Sequence, residues 1–135
     1  MNCPPEEIIY VDDSPDDRLF ARLTFDRGDY PFVLTILDSA DSALATLEQR
    51  IADGMALPTL LITDHYMPVI DGPELLRILR ADPRLVDLTL AICSGSDDPA
   101  DVSAAAEAGA QLQLGKPLDL DLCRKILSGS LVPQQ

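Results

Sequence analysis

The sequence predicts a doubly wound α/β sandwich: five parallel strands in one sheet with helices on both faces. Three observations carry this reading. Short, nearly continuous apolar runs alternate with longer segments whose apolar residues recur at helical spacing. The runs are apolar at successive positions, as strands covered on both faces are. The alternation makes five cycles of about 27 residues, near the ~30 of a βαβ unit.

The first strand is "EIIYV", Glu7 to Val11. "SPDDRLFARLTF" follows as a helix, with Ser14 as N-cap, Pro15 at the first helical position and Asp16 and Asp17 in the first turn. "FVLTIL", Phe32 to Leu37, is the second strand, and Ala40, Ala43, Leu44, Leu47 and Ile51 form one stripe of the next helix. "TLLIT", Thr59 to Thr63, is the third strand, followed by the helical pattern of Leu75, Leu76 and Leu79. "LTLAIC", Leu88 to Cys93, precedes a helix that begins near Pro99 and ends at Gly109, a C-cap. "QLQL", Gln111 to Leu114, is a weaker fifth strand that completes the rhythm, and the last helix spans Leu118 to Leu127. These elements form one domain over residues 1–135, with a core over about 6–128 and a fraying tail over about 129–135.

With 135 residues, 47% of them hydrophobic, the chain can bury a real core but has no room for a second domain. The net charge of −13 comes without any basic run, which excludes nucleic acid as a direct partner. No apolar run approaches the ~18 residues of a membrane span, and "MNCPPEEI" lacks the features of a secretory signal. A soluble, cytoplasmic protein without membrane insertion is expected. Cys3, Cys93 and Cys123 are far apart and lack metal-ligand spacing, so no disulfide framework or zinc site is indicated; Cys93 and Cys123 read as buried thiols.

In such a fold, ligands sit beyond the carboxyl ends of the strands. The residues that follow the strands are Asp12 and Asp13, Asp64, Ser94 and Lys116. Three carboxylates brought together repel by roughly 4 kcal/mol per pair at 4 Å with an effective dielectric near 20, so the cluster calls for a cation. Oxygen-only ligands favour Mg²⁺ or a similar hard ion such as Mn²⁺. Lys116 and Ser94 add an ammonium group and a hydroxyl donor, which together with the cation suit a phosphoryl group in transfer. Asp64 then reads as a nucleophile and Asp12 and Asp13 as the metal-binding wall. Taken singly, the aspartates read as loop or turn carboxylates and Lys116 as a surface lysine; their coincidence at strand ends favours a site. His65, the only histidine, reads as solvent-facing.

The acidic pair in "YVDDS", the aspartate in "LLITDHYMPVIDG", the hydroxyl in "AICSGS" and the lysine in "LGKP" together resemble the receiver domains of two-component response regulators. The resemblance implies a flavodoxin-like (βα)5 fold and phosphorylation of Asp64 by a histidine kinase or histidine phosphotransfer protein. It implies Mg²⁺ held by Asp13, Asp64 and the backbone carbonyl of Tyr66, with Asp12 acting through water. Lys116 would pair with the phosphorylated aspartate and Ser94 would move toward it as the switch. Met67, Pro68 and Gly72 match the turn after the phosphoacceptor, and Pro117 matches a proline that usually follows the lysine through a cis bond.

Gln113 departs from the pattern, standing where receiver domains usually carry the Tyr or Phe of the switch pair. Tyr66 is bulky for a position that influences water access to the acyl phosphate. The expected function is a single-domain response regulator, not an enzyme beyond its own phosphorylation and dephosphorylation. It would act by protein contact, either as a switch on a downstream target or as a relay intermediate. A phosphorylation-independent scaffold or dimerisation module is the alternative, with Gln113 in its favour. A dehalogenase-type enzyme would need a second aspartate two residues beyond the nucleophile, where Ser14 and Tyr66 stand. A homodimer through the last helices is compatible with the sequence, but no residue pattern compels it.

Overall fold

The computed structural model describes residues 6–129. Its elements are β1 (Glu6–Val11), α1 (Pro15–Arg27), β2 (Phe32–Leu37), α2 (Ala40–Ala52), β3 (Leu60–Asp64), α3 (Gly72–Arg80), β4 (Thr89–Ser94), α4 (Pro99–Ala108), β5 (Leu112–Gly115) and α5 (Leu120–Leu127). The five strands form one parallel sheet in the order β2-β1-β3-β4-β5, as predicted. β1 leads outward to β2 on one side and has β3 on the other, so the chain changes direction at the end of β1.

The two faces of the sheet follow from strand alternation. Ile8 and Tyr10 of β1, with Leu60 and Ile62 of β3, pack under α1 and α5. Ile9 and Val11, with Leu61 of β3, pack under α2, α3 and α4. Each such side chain contributes about 1.5–3 kcal/mol when fully buried, and β1 and β3 carry two faces of them. The centre of the sheet is therefore its rigid part. Ser14, Ser39, Asp71, Asp98 and Asp119 cap the helices by accepting backbone N–H groups. Glu7 of β1 accepts from Thr35 of β2 and Arg50 of α2, binding the far end of the sheet to its helix.

Several predicted boundaries move. β3, β4 and β5 each lie one residue further along than the apolar runs suggested, because the ladder continues through Asp64↔Cys93 and Ser94↔Gly115. Backbone pairing takes no account of side-chain polarity. Asp64 and Ser94 are consequently the last residues of strands rather than the first of loops. α5 begins at Leu120, two residues later than predicted, where the Asp119 side chain accepts from Leu122 N. The predicted tail from residue 130 onward, and Cys3, lie outside the described residues. No described helix is long and apolar enough to cross a membrane.

The loop from β3 to α3 passes very close to the end of its own strand. Gly72 donates its N–H to the His65 carbonyl at 2.9 Å, and a Cβ there would lie 2.2 Å from the Asp64 carbonyl oxygen. Four residues after His65, Val69 has φ 70 with its side chain 96% exposed, a costly conformation for a β-branched residue. Substitutions at these two positions have opposite expected effects. Gly72→Ala should destabilise by about 1–3 kcal/mol through overpacking, whereas Val69→Gly should stabilise by about 1 kcal/mol, strain relief exceeding glycine's entropy cost. Urea unfolding of the two variants against the parent checks both signs.

Candidate functional site

Asp12, directly after β1, is fully buried. Its Oδ2 accepts from the Tyr10 hydroxyl at 2.6 Å and its Oδ1 from Ser14 N at 2.9 Å. Arg18 of α1 donates to its carbonyl at 2.9 Å. Asp64, at the end of β3, is buried and accepts from His65 N at 2.9 Å. Lys116, just beyond β5, places Nζ 3.0 Å from Asp12 Oδ2, 3.0 Å from Asp64 Oδ1 and 2.8 Å from Asp17 Oδ2. Asp13 is exposed and completes a group with Asp12 and Asp64, whose ligand oxygens all lie within 4.8 Å of one another.

The charge balance is uneven. Burial, with the neighbouring charge of Asp12, pushes the Asp64 carboxyl up to about 6, although Lys116 and the His65 N–H oppose the rise. Burial alone would depress Lys116, but its hydrogen bonds to Asp17, Asp12 and Asp64 outweigh this and raise it. Lys116 thus remains a cation at neutral pH. Burial and the Asp12 hydrogen bond raise Tyr10, which stays a phenol and a donor. Burial also pushes Cys93 and Cys123 up to about 12, leaving both as the inert buried thiols the sequence indicated.

Ser94 ends β4 half-buried, and its Oγ accepts from Ser96 N at 3.1 Å. It lines a cavity of about 390 Å³ together with His65, Asp101, Gln113 and Lys116. Gln113 is exposed and donates its amide to the Val102 carbonyl at 3.0 Å. Tyr66 is 60% exposed and donates its hydroxyl to Asp101 of α4. The Lys116–Pro117 bond is cis.

His65 is not solvent-facing: it is 5% exposed, lines the same cavity, and its Nε2 lies 3.8 Å from Asp101 Oδ1. β3 runs one residue further than the apolar pattern indicated, and Gly72 holds the His65 carbonyl, so the chain turns outward only after His65. Sequence reasoning also missed Asp17 as a partner of Lys116 and Tyr10 as a donor to Asp12. Asp17 had a signal: Ser14 caps α1 two residues after Asp12, which starts the helix at the edge of the site.

The chain matches the response regulator receiver domain family over residues 8–128. It belongs to that family. The acidic group of Asp12, Asp13 and Asp64 fits the phosphorylation site of such domains. The receiver domain is 33% identical over 121 residues to a 14.6 kDa protein of the sodA1 3′ region of Leptolyngbya boryana, covering 89% of this chain and 86% of that one. It is 30% identical over 132 residues to response regulator Rre1 of Synechocystis, covering 97% of this chain and 54% of the relative. It thus spans only about half the length of some curated relatives. Among solved structures, the Mn²⁺-bound form of response regulator Rcp1 superposes with TM-score 0.72 at 24% identity, covering 97% of this chain and 100% of that one.

The Asp64 carboxyl binds its proton more tightly folded than unfolded, so its ionisation lowers stability as pH rises from about 4 to about 6. In metal-free protein, Asp64→Asn should therefore raise stability at pH 7.5 by up to about 3 kcal/mol, several degrees in Tm, with the gain shrinking toward pH 4. Thermal melts in chelator at the two pH values measure this. A variant that melts lower than the parent at pH 7.5 would show that the pairing with Lys116 outweighs burial and the Asp12 charge.

Proposed function

We infer that this receiver domain accepts a phosphoryl group on Asp64 and works by protein contact in the cytoplasm. The observation that supports this best is Lys116 Nζ lying 3.0 Å from both Asp12 and Asp64 at the sheet's carboxyl edge, with Asp13 open beside them. Asp13, Asp64 and the Tyr66 carbonyl, with Asp12 acting through water, would hold Mg²⁺ or Mn²⁺. The oxygen-only donor set fits such an ion. When bound, the cation supplies positive charge against the phosphoryl oxygens.

A carboxylate oxygen of Asp64 attacks the phosphorus of a phosphohistidine; the O–P bond forms as the P–N bond breaks, and the leaving imidazole takes up a proton. Lys116 neutralises a phosphoryl oxygen and the Ser94 hydroxyl donates to another. Hydrolysis, by water attack on phosphorus, returns phosphate and the carboxylate, and no further reaction is proposed. The donor is a histidine kinase or histidine phosphotransfer protein. Leu19, Phe20 and Leu23, exposed along one face of α1 next to Asp17, offer that donor an apolar contact surface.

Incubation with Mg²⁺ and acetyl phosphate or phosphoramidate, followed by intact mass, tests the reading. The parent should gain one phosphoryl group, and neither Asp64→Asn nor a chelator-treated sample should. A second reading, a phosphorylation-independent scaffold, is favoured by Gln113 standing in place of a mobile aromatic ring. It predicts no gain from small donors or a kinase, and an oligomeric state indifferent to both.

A further inference from the structure

Asp101, in the first turn of α4, collects contacts from two loops. The Tyr66 hydroxyl donates to its Oδ1, and His65 Nε2 lies 3.8 Å from the same oxygen. The His65 and Tyr66 rings lean on one another with centroids 4.5 Å apart and planes 39° apart. The Tyr66 hydroxyl, and after it the Ser96 side chain, hold the Asp101 carboxyl below its ordinary range, so it remains an acceptor. His65 and Tyr66 are the two residues directly after Asp64, and Ser96 is two residues after Ser94.

From the other side, Gln113 of β5 donates to the carbonyl of Val102, the residue after Asp101. The first turn of α4 is thus held at two adjacent residues, both lining the cavity that Ser94 and Lys116 also line. Elsewhere α4 has little grip. It buries Ala105 and Ala108 and no larger side chain, and a buried methyl contributes only about 0.8 kcal/mol. Polar contacts therefore make up much of what fixes this helix end.

We propose that Asp101 is a clasp coupling the loop that carries Asp64 to α4, so that a change at Asp64 passes through His65 and Tyr66 to the first turn of that helix. This coupling rests on the reading that Asp64 is the phosphoacceptor. It gives the molecule a route to the α4–β5 face that needs no rotating ring at position 113, where the Gln113 amide acts as a fixed tether.

Hydrogen exchange by mass spectrometry over α4 tests the clasp in the full chain. The parent, Tyr66→Phe, Asp101→Asn and the double variant are compared in chelator, in Mg²⁺, and in Mg²⁺ with acetyl phosphate, with intact mass recorded on each sample. In chelator each single variant should speed exchange of the first turn by about three- to tenfold, the cost of one hydrogen bond, and the double variant no further. Loading Asp64 should change α4 exchange in the parent, and Tyr66→Phe loaded to the same occupancy should lose that response.

An equal response in parent and Tyr66→Phe, or additive effects in the double variant, would overturn the proposal. If intact mass shows no phosphoryl gain in the parent, the phosphoacceptor reading fails by itself. The Mg²⁺ samples then decide the clasp: an α4 response to Mg²⁺ that Tyr66→Phe abolishes sustains it, and any other result overturns it. Tyr66→Phe keeps a ring against His65, so it decides the matter alone should Asp101→Asn fail to fold.

Discussion

Lys116 reaches from the end of β5 to three carboxylates at once, 3.0 Å from Asp12, 3.0 Å from Asp64 and 2.8 Å from Asp17. A single ammonium cannot balance three acids, and Asp13 adds a fourth at the solvent edge. Burial first, and then the charge of Asp12, raises Asp64 to about 6 against the pull of Lys116 and the His65 N–H. A buried carboxylate beside another acid gains from a further cation. A hard cation suits this carboxylate group, and on the proposed function its charge would offset the repulsion between these acids and an anionic phosphoryl group.

The sheet makes such crowding tolerable. β1 and β3 are buried on both faces, so the chain positions of Asp12 and Asp64 are set by apolar packing rather than by each other. Tyr10 joins the two levels: its ring belongs to the core under α1 and α5, and its hydroxyl satisfies Asp12 Oδ2 at 2.6 Å. Together with Ser14 N and Lys116 Nζ, this leaves the buried Asp12 carboxylate with three donors. A buried charge without such partners would be too costly to keep. The glycine at position 72 serves the same end from the other side, letting the α3 entry pass against the Asp64 backbone.

What the sequence disclosed and what it withheld divide along physical lines. Strands, helices and caps are local or periodic properties, and the runs from Ile8 to Val11 and the caps at Ser14 and Gly109 stand where the pattern put them. The carboxylates and Lys116 were legible because each stands at the end of an apolar run, and parallel strands share one carboxyl edge. The one-residue shifts of β3, β4 and β5 were not legible, since a ladder ends where partners end and not where apolarity does. His65 was misjudged for that reason: one more strand residue and a backbone bond to Gly72 turn it inward. The Lys116–Asp17 pair, 99 residues apart in the chain, belongs to the tertiary arrangement alone.

The polar residue at position 113 bears on how such a fold sends information out. An aromatic ring that moves between buried and exposed positions exchanges apolar area for solvent, a change of a few kcal/mol available to bias a partner. An amide bonded to a helix carbonyl has no comparable pair of states, because leaving the Val102 carbonyl only exchanges that bond for one to water. On the reading that Asp64 is the phosphoacceptor, the element that responds to it lies elsewhere on the face. α4 meets the requirement better than β5 does: its buried side chains are alanines, its first turn is held by hydrogen bonds of modest net worth, and one of them ends on the residue two beyond Asp64. Under the proposed clasp, a helix end held this way shifts its population when the charge at Asp64 changes.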